Sequence, residues 1–166
     1  MPEKKTVMRA KQAKREGKSP STQAGEFVHE EIKKIRKGEH GARSAKQAIA
    51  IGLSEARRAG VNLKPPKAGT VPEKTRKSAE RAYEKGQQHE PVSATRSRAR
   101  VKALKKESTT AASHSALSRQ THEAATKRSK SDRSAAAKKA ARTKGPEERS
   151  AAAKKAARTR ARNAHS

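Results

Sequence analysis

Lys138, Lys139 and Arg142 return sixteen residues later as Lys154, Lys155 and Arg158. They sit in two near-identical blocks, Arg133-Ser-Ala-Ala-Ala-Lys-Lys-Ala-Ala-Arg-Thr-Lys144 and Arg149-Ser-Ala-Ala-Ala-Lys-Lys-Ala-Ala-Arg-Thr-Arg160, with Arg162 just beyond. On a helix the three cations of each block fall on one side, while Ala136, Ala137, Ala140 and Ala141 fall largely on another. Cations spaced along one face can neutralise successive phosphates and release their condensed counterions without reading a base. Arg, Lys, Ser and Thr are the residue types that contact phosphate, and all four are abundant here. Lys138, Lys139, Arg142, Lys154, Lys155, Arg158, Arg160 and Arg162 are therefore the candidate nucleic-acid-binding residues.

Other chemistries find less support. Base readout needs a rigid helix presenting Asn, Gln or Arg at set positions. The segment carrying Lys46, Arg57 and Arg58 resembles such a helix only weakly, and the simpler reading is that it packs its Ile/Leu face and solvates its charges. Single-strand readers stack bases on aromatic platforms, and Phe27 and Tyr83 are the only aromatics. Membrane-surface helices set bulky apolar residues opposite their cations, where this tail has alanine, so no membrane partner is expected. His29-Glu30 begins like a zinc-protease H-E-x-x-H but lacks the second histidine. His40, His89, His114, His122 and His165 are scattered without metal-ligand spacing. No catalytic residue, metal site or cofactor is expected, and the chain reads as a non-enzyme. The absence of cysteine excludes disulfides and thiolate metal sites.

The elements that must position the cations are helical. Lys and Arg number 43 against 16 acids in 166 residues, a formal charge of +27, and apolar residues make up 30%. A chain so charged and so poor in apolar residues offsets little of its ordering entropy by burial, and polyanions are its natural partners. Only residues 19–63 read as a self-organising fold. Ser19 caps a first helix with Pro20 at its first position, and Gly38 ends it after Lys33, Lys34, Arg36 and Lys37. Ala24, Phe27, Val28, Ile32 and Ile35 form its stripe, and Glu26, Glu30 and Glu31 pair at helical spacing with Lys33 and Lys34. Ser44 and Gln47 make a capping box for a second helix lined by Ala45, Ala48, Ile49, Gly52, Leu53 and Ala56. Gly60 closes it, with Val61 placed to pack beneath the cap. Gly52 weakens this helix by about 1 kcal/mol relative to alanine, a cost expected where it lets the first helix approach closely. Two helices alone bury too little to stand. They need a second copy in a homodimer or cover from another segment, or are only loosely held.

The remainder is expected to be accessory. Residues 1–18 are a basic leader, read as a frayed helix ended by Gly17. Residues 64–71 are a Pro/Gly linker, and 72–92 a short charged helix, ended by Gly86, with its own linker. Residues 93–166 hold 21 Lys and Arg against 5 acids, with Val101, Leu104 and Leu117 the only large aliphatics. The expected fold is thus all-α, a small helical hairpin followed by a largely disordered or fraying helical basic tail.

The stretch from Ser19-Pro-Ser-Thr-Gln-Ala-Gly-Glu-Phe-Val28 through Lys46-Gln-Ala-Ile-Ala-Ile-Gly-Leu-Ser-Glu-Ala-Arg-Arg-Ala-Gly60 resembles a family of small basic bacterial proteins defined only as a domain of unknown function. Segments of residues 78–86, 111–118 and 133–143 are similar to the carboxy-terminal part of its longer members. That resemblance implies a bacterial, cytoplasmic setting and supplies no activity. The Lys/Ala-rich tail is also similar in composition to histone-like tails. The expectation is a sequence-nonspecific DNA-binding, nucleoid-associated protein, with DNA favoured over RNA. The alternatives are an RNA- or ribosome-associated protein, and a protein-interaction hairpin with a solubilising tail.

Overall fold

The computed structural model describes residues 3–91, 93–143 and 145–164. Its elements are α1 (Lys4–Arg15), α2 (Pro20–Arg36), α3 (Ala45–Arg58), α4 (Glu73–Gln87), α5 (Ala94–Leu104), a 3-10 turn (Thr109–Ala112), α6 (His114–Thr126), α7 (Lys130–Thr143) and α8 (Pro146–Ala164). No strand occurs among the described residues, and the fold is all-α. The chain divides into two compact units, one ending at Gln120 and one starting at Thr121.

The hairpin forms where its punctuation places it. Ser19 Oγ accepts the Thr22 N–H at 3.4 Å, and Ser44 Oγ accepts the Gln47 N–H at 3.2 Å. Gln47 reaches back one residue further than a capping box requires and accepts the Arg43 N–H at 2.7 Å. Gly38 and Gly60 adopt φ of +76° and +84°. In each case the next N–H folds back on the helix, Glu39 to the Lys34 carbonyl and Val61 to the Ala56 carbonyl, both at 3.1 Å. Gly52 is where the two helices meet. A Cβ built there would stand 2.7 Å from Val28 Cα and 2.9 Å from Val28 N. The backbones touch, and small residues suffice to fill the space around them.

Cover for the hairpin comes from within the chain. The leader is a docked helix rather than a frayed one. α1 buries Thr6, Ala10 and Ala13, and Ala10 joins Ala24, Phe27, Ala56 and Val61 in one core cluster. Its Arg9 reaches Glu26 at 2.9 Å and Glu30 at 3.0 Å. These acids therefore bridge across helices to Arg9, and Glu30 also feels the charges of Lys33 and Lys34 along its own helix. α4 packs on α3 through Ala79, Ala82 and Gly86, and Tyr83 donates from its hydroxyl to Asn62 Oδ1 at 2.7 Å.

Residues 93–112, basic by composition, also belong to this unit. The Gly41 N–H donates to the Leu104 carbonyl at 2.9 Å and the Ala42 N–H to the Ser108 carbonyl at 3.0 Å. Arg36 Nε donates to the Ala112 carbonyl at 2.8 Å. Ala111 and Ala112 complete a second core cluster with Ile35, Ala42 and Ala48.

The tail expected to be largely disordered or fraying is helical over most of its described length. Alanine, lysine and arginine carry helix propensity without needing a core, and each helix has a local start signal. Ser129 Oγ accepts the Asp132 N–H at 3.0 Å. α8 opens on Pro146 with Glu147 and Glu148 in its first turn, against the positive end of the helix dipole. None of the described side chains of α7 or α8 is buried.

Candidate nucleic-acid interface

All eight nominated cations lie on α7 and α8 and are exposed. At 3.6 residues per turn Lys138, Arg142 and Lys139 share an arc of about 100°. On α8 Lys154, Arg158, Arg162 and Lys155 fall within the same width, and Lys154 to Arg162 spans about 12 Å of helix axis. Arg160 is the exception. It lies about 170° from the centre of the α8 stripe, beside Arg149 on the opposite face. The Thr159 hydroxyl donates to the Lys155 carbonyl at 3.0 Å, which turns it onto its own helix. Each stripe is a row of cations backed mainly by alanine, with Arg149 and Arg160 among the alanines behind α8, and is able to follow a line of phosphates while offering no fixed donor–acceptor pattern to a base edge.

The compact unit places a second set of charges that sequence reasoning did not bring together. Arg57, expected to be solvated, is buried; its Nε donates to the Leu63 carbonyl at 3.1 Å and clamps the chain where it leaves α3. Burial pushes this guanidinium below its ordinary value. Its neighbour Arg58 faces Arg96 and Arg100 of α5 across a cavity of about 200 Å³. Burial lowers the pKa of Arg58, and the positive charges of Arg100 and Arg96 lower it further. Its Nε is buried without a hydrogen-bond partner. Glu31, His40 and Glu55 line the same cavity.

Glu31 occupies the inner line of α2, four residues from both Phe27 and Ile35, and is 2% exposed. Burial raises its pKa above the ordinary 4.5, the nearby Glu55 adds to the rise, and His40 opposes it with Nε2 at 3.6 Å. A carboxyl whose folded value exceeds its unfolded one stabilises fully below the unfolded value and loses that contribution as pH climbs through the folded one. Glu31→Gln, which keeps shape and carries no charge, is expected to flatten this decline. Thermal melts above pH 4.5 should show the variant gaining several degrees on the wild type toward neutrality; parallel curves would mean Glu31 is not desolvated.

Residues 11–68 match the family model DUF6496, a family of unknown function. The DUF6496 segment starts inside α1, takes in α2 and α3, and ends in the proline-bearing stretch beyond them. Gly52, Glu31, Arg57 and Arg58 lie within it; α4 to α8, with all eight nominated cations, lie outside. No curated protein and no solved structure matches the chain. Among the described residues no helix is long and apolar enough to cross a membrane, and no group of three or more His, Asp or Glu is arranged to hold a metal ion. His165 lies outside the described residues.

Proposed function

We propose that this chain is a sequence-nonspecific DNA-binding protein of a nucleoid-associated or histone-like kind, acting by phosphate neutralisation and not by catalysis. The observation that carries the reading is the pair of exposed cationic stripes on α7 and α8, built twice from one repeated block. A helix with no fully buried side chain among its described residues gains little from folding on itself and gains substantially from laying its cations along a polyanion. DUF6496 carries no activity in its description, so the proposal rests on charge and geometry.

A partner-binding hairpin has weaker support, because the face it needs is used inside the chain. Leu53 packs against the cluster around Phe27, and Ile49 is half-buried beside α4.

The test is fluorescence anisotropy with random duplex DNA. A protein that makes 6–10 phosphate contacts loses about 10³–10⁵ in affinity between roughly 50 and 200 mM salt, and a drop of that order is expected here. Structured RNA should compete less well than unlabelled duplex DNA. If RNA competes as well or better, the reading moves to an RNA- or ribosome-associated protein. No binding in dilute buffer ends it.

A further inference from the structure

We propose that the cavity lined by α3 and α5 is a binding site for a phosphate group, held by the guanidinium groups of Arg58, Arg96 and Arg100. The proposal goes beyond the nucleic-acid reading and does not rest on it, since none of the three is among the cations that reading uses.

Three features of the cavity converge. First, Arg96 and Arg100 are one helical turn apart on α5, so they present one face, and Arg58 meets them from α3. Second, none of the three guanidinium groups forms an ion pair among the described residues, although acids elsewhere in this unit find arginine partners. Arg9 takes Glu26 and Glu30, and Arg76 takes Glu73 and Glu80. Third, Arg58 Nε is buried with its donor unused. An arginine edge of this kind, Nε–H beside Nη–H, matches two oxygens of a phosphate in a planar fork. Like charges held together against their mutual repulsion are relieved by an anion placed between them.

Space and surroundings fit this ligand. The cavity, about 200 Å³, exceeds by several times the roughly 30 Å³ that one water fills in the liquid. Ser93 and Ser97 add hydroxyls to the rim, and Ile51, Val101 and Leu104 supply apolar wall. Two carboxyls oppose an anion when ionised. Glu31 is buried beside His40, and burial disfavours its charged form. Glu31 already feels the charge of Arg100, and Glu55 is the less buried of the two, which makes Glu55 the informative site for substitution. Lys85, also on the lining, is already paired with Glu90.

The experiment follows the Arg58 Nε–Hε resonance in full-length, isotope-labelled protein. Inorganic phosphate is titrated first, with ionic strength held constant by sodium chloride, and random duplex DNA second. A saturating shift with phosphate is expected. It should weaken roughly tenfold or more in Arg96→Gln/Arg100→Gln, which removes two charge-assisted partners, and tighten in Glu55→Gln. Both arginines of the double variant are exposed, so its helices should persist by circular dichroism, and the wild-type titration is decisive in any case. A shift with DNA as well assigns the group to a nucleic-acid backbone; a shift with phosphate alone assigns it to a free phosphate or a phosphorylated small molecule. No movement with either, or equal movement with chloride, overturns the site. Loss of all DNA binding with the phosphate shift intact would sink the nucleic-acid reading alone, and the reverse result would sink only this one.

Discussion

Gly52→Leu is expected to cost the compact unit on the order of 3 kcal/mol or more, lowering its melting temperature by about 10 to 20 °C. The first new atom already fails to fit, because a Cβ at this position stands 2.7 Å from Val28 Cα and 2.9 Å from Val28 N. Those are backbone atoms of α2, so relief requires the two helices to separate. Separation would open the contacts around Phe27, Ala24 and Ala56, each 1% exposed or less. Leucine is the better helix former by somewhat under about 1 kcal/mol, so propensity and packing pull in opposite directions and packing wins. Gly25→Ala is the control. It lies in α2 with nothing within 4 Å of its added Cβ, and should stabilise by roughly 0.5–1 kcal/mol through propensity alone. If both variants melted at or above the wild-type temperature, the close approach of α2 and α3 would be refuted.

The contrast between glycines also shows what could be read from the residues alone. Gly38, Gly60 and Gly52 were readable because each sits at a fixed offset from a cap or inside an apolar stripe. Gly86 reads the same way, as the end of α4, yet the helix runs through Gln87 and the left-handed residue is His89, at φ +55°. Gly86 serves contact instead, since a Cβ there would stand 1.8 Å from the Arg57 carbonyl oxygen. A glycine near a helix end serves either torsion or proximity, and only the partner decides which. Glu31 poses a related problem. Its residue type reads as a partner for Lys34, and only its spacing from Phe27 and Ile35 places it inward.

Alanine hid the rest. Ala112 is fully buried in the compact unit, whereas the described alanines of α7 are exposed or, at Ala141, half-buried. Composition cannot tell a close-packed alanine from a solvated one, so residues 93–112 looked like the start of the tail. The arginine cavity was unreadable for the same reason, because it exists only once α5 is placed against α3. The cationic repeat needed no such placement, since its sixteen-residue period and helical spacing are local.

Removing residues 129–166 is expected to reduce the slope of log affinity against log salt for duplex DNA by about 6, because seven cations on the two stripes are each worth about 0.9. Equal binding by the full-length and shortened chains at low salt would refute the arm's part in binding. The slope can also report what form the arm takes on DNA. If α8 docks as a helix, Lys154→Gln/Arg158→Gln removes two facing cations and should lower the slope by about 1.8. Arg149→Gln/Arg160→Gln, on the opposite face, should leave it nearly unchanged. If instead the arm unwinds and follows the backbone as extended chain, face loses its meaning and the two double variants should fall together. Alanine-rich helices without a core are only marginally stable in isolation, so the two outcomes lie close in energy. The helical form is favoured here because the Lys154 stripe concentrates charge along one line, where unwinding would spread the same cations over a longer contour.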